Sequence, residues 1–193
     1  MRLYVLRHGP AVAAQEWEGS EDARPLTEEG QGETRAAARG LALLRPDIEV
    51  IYTSPFARAF ATAQIAGEAL AVEVVPAAAL APGARLEQLR ALLQERAEAP
   101  GVMVVGHEPD LSTLVGELIA APQPARLALK KGGCACVDIP AKRLRASSGT
   151  RQLSGSGELR WLLTPPQLAL MAPVRQAHAA RKRAGAGENH TAT

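Results

Sequence analysis

Aromatic side chains are almost missing from this chain: two Trp, two Tyr and two Phe make up 3% of its 193 residues. A core must then be built from Leu, Val, Ile and the abundant Ala, and no interleaved aromatics are present to stack on nucleic-acid bases, so no nucleic-acid partner is expected. Cysteine is scarce as well. Cys134 and Cys136 stand two residues apart, so a strand points both to one face; that spacing ill suits a disulfide, and they read as small buried side chains. The four His and two Cys match no zinc-ligand pattern, and neither a metal nor a cofactor is expected. There is no run of eighteen apolar residues, and the first residues lead straight into a strand pattern, which predicts a cytoplasmic protein without membrane association. An excess of one charge is lacking too. The net charge of +2 arises in a tail carrying Arg175, Arg181, Lys182 and Arg183 against Glu188, and the body is close to neutral. The length fits one domain, expected over 1–172 and monomeric, with 173–193 as a basic, disordered tail.

What the chain does have is an alternation of short apolar runs with helical patterns. Leu3, Tyr4, Val5 and Leu6 form a run suited to a strand buried on both faces of a parallel sheet, and it stops abruptly at Arg7, His8 and Gly9. A loop over 10–24, carrying Trp17 and placed to lie over a pocket, precedes a helix over 28–44 with Thr27 as its cap. A strand over 48–53 ends at Ser54 and Pro55, read as the cap and first position of a helix to 70, with Arg58 in its first turn. A strand over 72–75, a loop over 76–84, a helix over 86–98 and a strand over 101–106 follow, the last closing on Gly106 and His107. Asp110 reads as the cap of a helix to 119. Residues 127–131 and 134–139 read as a hairpin turning at Gly132 and Gly133, 146–157 as a flexible Ser/Gly-rich stretch, 158–163 as a last strand, and Pro165 as the start of a short helix. The alternation predicts an α/β fold with a mostly parallel sheet flanked by helices.

The chemistry gathers at strand ends. Arg7 and His8 follow the first strand, Arg58 lies one turn past the second and His107 follows the fourth. In a parallel sheet these ends share one crevice, where ligands of open α/β folds bind. Two guanidiniums and the start of a helix make a site for a compact dianion, and phosphate is the obvious one. A neutral imidazole is a competent nucleophile near pH 7, and nearby positive charge favours the neutral form of His8. His107 is placed to donate to phosphoryl oxygens as charge moves in the transition state. Arg24, Ser54 and Glu108 are weaker candidates, Ser54 being read as a cap and the other two as exposed loop charges.

Leu6, Arg7, His8 and Gly9 resemble the signature of the histidine phosphatase superfamily, also called phosphoglycerate-mutase-like. Pro25, Leu26, Thr27 and Gly30, then Ser54, Pro55 and Arg58, then Gly106 and His107, are similar to its further motifs in the family's order. The short chain and Leu162, Leu163, Thr164 and Pro165 look most like the SixA-type phosphohistidine phosphatases, and the resemblance covers 1–168. It implies a three-layer sandwich, His8 as the phosphorylated nucleophile, and Arg7, Arg58 and His107 as the phosphate pocket. The substrate it implies is a phosphohistidine-bearing protein, such as a phosphotransfer domain, or a small phosphorylated molecule.

One departure bears on substrate. Superfamily members that cleave phosphomonoesters often carry a carboxylate after the third strand as proton donor, yet Pro76, Ala77, Ala78, Ala79 and Leu80 stand there. An alkoxide leaves poorly without a proton, whereas a phosphorylated imidazole releases its leaving group far more easily, so the missing acid favours phosphohistidine. Glu108 or Asp110 could supply a proton instead, which keeps small phosphomonoesters as an alternative, beside a non-catalytic phosphate-binding protein.

Overall fold

The computed structural model describes residues 1–44, 46–145 and 153–172. Six strands, β1 (Arg2–Arg7), β2 (Val50–Thr53), β3 (Val74–Pro76), β4 (Gly101–Gly106), β5 (Cys134–Asp138) and β6 (Glu158–Leu163), form one sheet in the order β3, β2, β4, β1, β5, β6. Neighbours from β3 to β1 pair in parallel, while β5 runs antiparallel to both β1 and β6. The helices are α1 (Glu28–Leu43), α2 (Ala57–Leu70), α3 (Leu86–Gln94), α4 (Asp110–Ile119), α5 (Ala141–Arg145) and α6 (Pro165–Met171).

Side chains alternate across each strand and so sort the apolar residues onto two faces. Leu3, Val5, Val102 and Val104 pack with Leu89 and Leu93 of α3, Leu111 and Leu114 of α4 and Leu144 of α5. Tyr4, Leu6, Ile51, Met103, Cys134 and Cys136 pack with Ala37 and Leu41 of α1, Ala59 and Ala63 of α2 and Leu168 of α6. Both cysteines are buried free thiols on one face, as their spacing predicts. Each fully buried Leu, Ile or Met contributes roughly 2 kcal/mol of burial energy, which accounts for a stable core with few aromatics. The small helix residues bring the layers close. A Cβ on Gly40 of α1 would stand 1.7 Å from the Leu168 carbonyl oxygen, so glycine there lets α1 and α6 touch backbone to backbone.

This layering makes the three-layer, mostly parallel α/β sandwich, with the functional strand ends at its switch point. The chain leaves β1 through α1 on one face and leaves its neighbour β4 through α4 on the other, opening the crevice between their carboxyl ends.

Several expectations need correction. Residues 127–131 do not form a strand. Both edges of β5 are already taken by β1 and β6, so no ladder is left for a hairpin partner. The segment instead runs as an irregular strap that buries Leu129 and turns through Gly133, whose N–H donates to the Lys130 carbonyl at 2.8 Å. Thr27 does cap α1, its hydroxyl accepting from the Gly30 N–H at 2.9 Å. Asp110 does not cap α4; it is the helix's first residue, and its carboxylate accepts from the Gly83 N–H at 2.7 Å. Residues 153–157, expected to be flexible, are pinned: Leu153 is buried, and the N–H groups of Gly155 and Gly157 each donate at 2.8 Å to the end of α4. The rest of that stretch, 146–152, and the tail at 173–193 lie outside the described residues. Among the described residues no helix is long and apolar enough to cross a membrane.

Candidate active site

The sheet's own ladder carries the backbone into the site. His8 N–H donates to the Gly106 carbonyl at 3.1 Å and Ser54 N–H to the Val105 carbonyl at 2.9 Å, so the residues just past β1, β2 and β4 are fixed side by side. His8 and His107 stand with ring centroids 5.3 Å apart. Arg58 arrives from the first turn of α2, its position tied to β1 by Thr62, whose hydroxyl donates to the Arg58 carbonyl at 2.7 Å and accepts from Gly9 N–H at 3.0 Å. Gly9 is required here because a Cβ would lie 2.2 Å from Thr34 Oγ1. Arg7 completes the group, its Nη1 donating to the Leu129 carbonyl of the strap at 2.8 Å. The four residues expected at the site are therefore together.

The His8 ring is set in one tautomer. Its Nδ1 lies 2.7 Å from the Gly9 carbonyl oxygen. A carbonyl only accepts, so Nδ1 carries the proton and the lone pair is on Nε2. Burial, opposed in part by that hydrogen bond and reinforced by His107, Arg58 and Arg7, brings the ring's pKa down to about 3. The expectation of a neutral His8 agrees with this, but burial is the larger cause and the neighbouring charge the smaller one. His107 is held neutral in the same way, at about 4, by burial first and then by Arg58. Its Nε2 is 2.8 Å from Ser54 Oγ, and the Phe56 ring meets it edge-on with centroids 5.2 Å apart. His107 Nδ1, Arg7 Nε and Arg58 Nε are buried without a hydrogen-bond partner.

The weaker candidates separate. Ser54 is not the N-cap of α2, whose cap position is Phe56, although its hydroxyl accepts from the Phe56 N–H at 3.3 Å. A cap reads only local spacing, whereas the closer partner of this hydroxyl, His107, is 53 residues away. Glu108 is turned to Ser112, whose hydroxyl donates to it at 2.6 Å, and Asp110 is engaged by Gly83. Arg24 is not an exposed loop charge. Its side chain is 14% exposed and it grips Glu21, with Nη2 to Oε1 at 2.7 Å and Nε to Oε2 at 2.8 Å. Glu21 belongs to none of the sequence motifs. It lies on the 10–24 loop and reaches Arg58, its Oε1 3.0 Å from Nη2 and its carbonyl accepting from Nη1 at 2.9 Å. The one sequence signal was its place three residues before Arg24, a spacing that allows an ion pair. Among the described residues no group of three or more His, Cys, Asp or Glu is placed to hold a metal.

A model of the histidine phosphatase superfamily (branch 1) matches residues 3–82. An uncharacterized protein of Picosynechococcus is 34% identical over 174 residues, covering 88% of this chain and 99% of its own length. The chain belongs to the histidine phosphatase superfamily. Within it, the similarity runs to the SixA type: the phosphohistidine phosphatase SixA of Escherichia coli is 28% identical over 176 residues, covering 88% of this chain and 98% of that protein. A structure of the protein histidine phosphatase SixA complexed with tungstate superimposes with a TM-score of 0.72 at 27% identity, over 87% of this chain and 99% of that one. This histidine phosphatase is thus a hydrolase with the fold that its sequence motifs imply.

Proposed function

We propose that this histidine phosphatase removes the phosphoryl group from phosphohistidine on a protein partner, by way of a phosphoryl group carried on His8, without a metal. The observation that carries the reading is the His8 ring, buried and neutral, with Nδ1 committed to the Gly9 carbonyl and Nε2 bare beside Arg7, Arg58 and His107. His8 Nε2 attacks phosphorus and the bond from phosphorus to the substrate imidazole nitrogen breaks, that nitrogen taking up a proton from solvent water. Water then attacks phosphorus, the bond to His8 breaks, and phosphate leaves with the ring restored. Arg7 and Arg58 hold the phosphoryl oxygens, and His107, whose Nδ1 is buried without a partner, stands beside His8 to meet them.

Phosphohistidine is favoured over a phosphomonoester by what surrounds the leaving group. After β3 the chain runs through Ala77, Ala78, Ala79 and Leu80 without an acid, and Glu108, Asp110 and Glu21 are each held by other partners. An imidazole leaves without the strong acid that an alkoxide needs. The tungstate in the similar SixA structure is consistent with a tetrahedral oxyanion at such a site.

The test compares turnover of a phosphohistidine protein with that of sugar and aryl phosphates, with acid and base treatment of the trapped adduct. The expected result is higher kcat/KM on phosphohistidine, an acid-labile and base-stable adduct on His8, and no turnover by His8→Ala. Faster turnover of the phosphomonoesters would overturn the substrate, and His8→Ala turnover comparable to the parent would overturn the mechanism.

A further inference from the structure

Glu21 engages both terminal nitrogens of Arg58. Its Oε1 is shared between Arg58 Nη2 at 3.0 Å and Arg24 Nη2 at 2.7 Å, its Oε2 accepts from Arg24 Nε at 2.8 Å, and its main-chain carbonyl accepts from Arg58 Nη1 at 2.9 Å. An anionic group gripped by two guanidinium forks is, in charge and hydrogen-bond demand, the situation of a bound phosphoryl group.

The two partners differ in freedom. The Arg58 side chain is 5% exposed and that of Glu21 54%, so Arg58 stays while the carboxylate can turn out to water. The loop that carries Glu21 is anchored at its base, where Ala11 bridges Leu26 and Val12 N–H donates to the Pro25 carbonyl. Beyond that base its two short turns, Ala14–Glu16 and Glu21–Ala23, bury no residue, and Trp17 Nε1 holds them together through the Ser20 carbonyl at 2.8 Å.

We propose that Glu21 is a built-in competitor for the oxyanion site and a determinant of specificity. It stands on the Arg24 and Arg58 guanidiniums until displaced, which weakens binding of small free phosphorylated molecules and favours a phosphorylated protein whose surface adds contacts that move the loop. The inference rests on the reading that Arg58 holds the phosphoryl group. Glu21 is not placed to serve as a proton donor instead, because Arg24 holds its carboxyl below the usual carboxylate range.

The experiment measures binding of inorganic phosphate to the full chain by calorimetry for the parent, Glu21→Gln, Glu21→Ala and Arg58→Ala. Removing an ion pair of this exposure should tighten phosphate binding roughly two- to fivefold in both Glu21 variants, and Arg58→Ala should lose it. Equal or weaker binding in the Glu21 variants overturns the competitor role while leaving the oxyanion site intact, for then the residue only steadies Arg58. If neither parent nor Glu21 variants bind phosphate, the oxyanion site itself falls, and this inference with it. A second measurement compares KM for free phosphohistidine and for a phosphohistidine-bearing protein domain, which share a leaving group. Glu21→Gln should lower KM several-fold for the free amino acid and much less for the protein; equal lowering overturns the role in specificity.

Discussion

Two buried neutral histidines should make this protein lose stability in mild acid. His8 is 7% and His107 4% exposed, and their pKa values in the folded chain are about 3 and about 4. In the unfolded chain each ring titrates near pH 6.5. Between those limits the unfolded state binds protons that the folded state refuses, so stability is fully present above about pH 6.5 and is lost as pH falls toward the folded values. Each ring costs ~1.4 kcal/mol per pH unit, so by pH 4 each removes roughly 3 kcal/mol. Against a total stability of about 5–15 kcal/mol that is a large fraction. Urea unfolding followed by circular dichroism at pH 7, 6, 5 and 4.5 reads the slope of stability against pH. The parent should show an excess slope that rises to about two protons at the acid end of that series, and His8→Asn and His107→Asn should each reduce it there by about one. Other acid-sensitive groups, such as Glu21 with its arginines, act alike in all three proteins, so the differences isolate the rings. Slopes equal in parent and variants would refute the reasoning, since the rings would then already be protonated or solvated in the folded chain.

Other expectations follow from single contacts. Ser54→Ala removes the partner of His107 Nε2, and leaving that buried atom unpaired should lower kcat on the order of tenfold with KM changed less than about twofold in steady-state kinetics. Gly40→Ala places a methyl 1.7 Å from the Leu168 carbonyl, so despite alanine's better helix propensity it should cost about 2 kcal/mol and lower Tm by several degrees in a thermal melt.

Much of this arrangement could be read from local pattern because strand ends are abrupt. An apolar run that stops at Arg7 and His8, and another that stops at His107, names both the buried sheet and the residues at its rim. Parallel pairing then brings the rims together whatever their separation in the chain. What could not be read is what depends on competition between distant segments. The strap at 127–131 has a strand's composition, and only the prior claim of β6 on the free edge of β5 denies it a ladder. Ser54 looks like a cap because Pro55 follows it, yet besides the nearby Phe56 N–H its hydroxyl serves the His107 ring just past β4. Glu21 sits in a loop without periodicity, and its meeting with Arg58, 37 residues on, is a matter of tertiary placement.

The contact between His8 Nδ1 and the Gly9 carbonyl has a stereochemical corollary. The orienting group is the main-chain carbonyl of the adjacent residue, so donor and acceptor are neighbours along the chain and need no ligand to align them. Any electrophile the imidazole takes up is consequently delivered to a single nitrogen, and its product is one regioisomer rather than a mixture of the two.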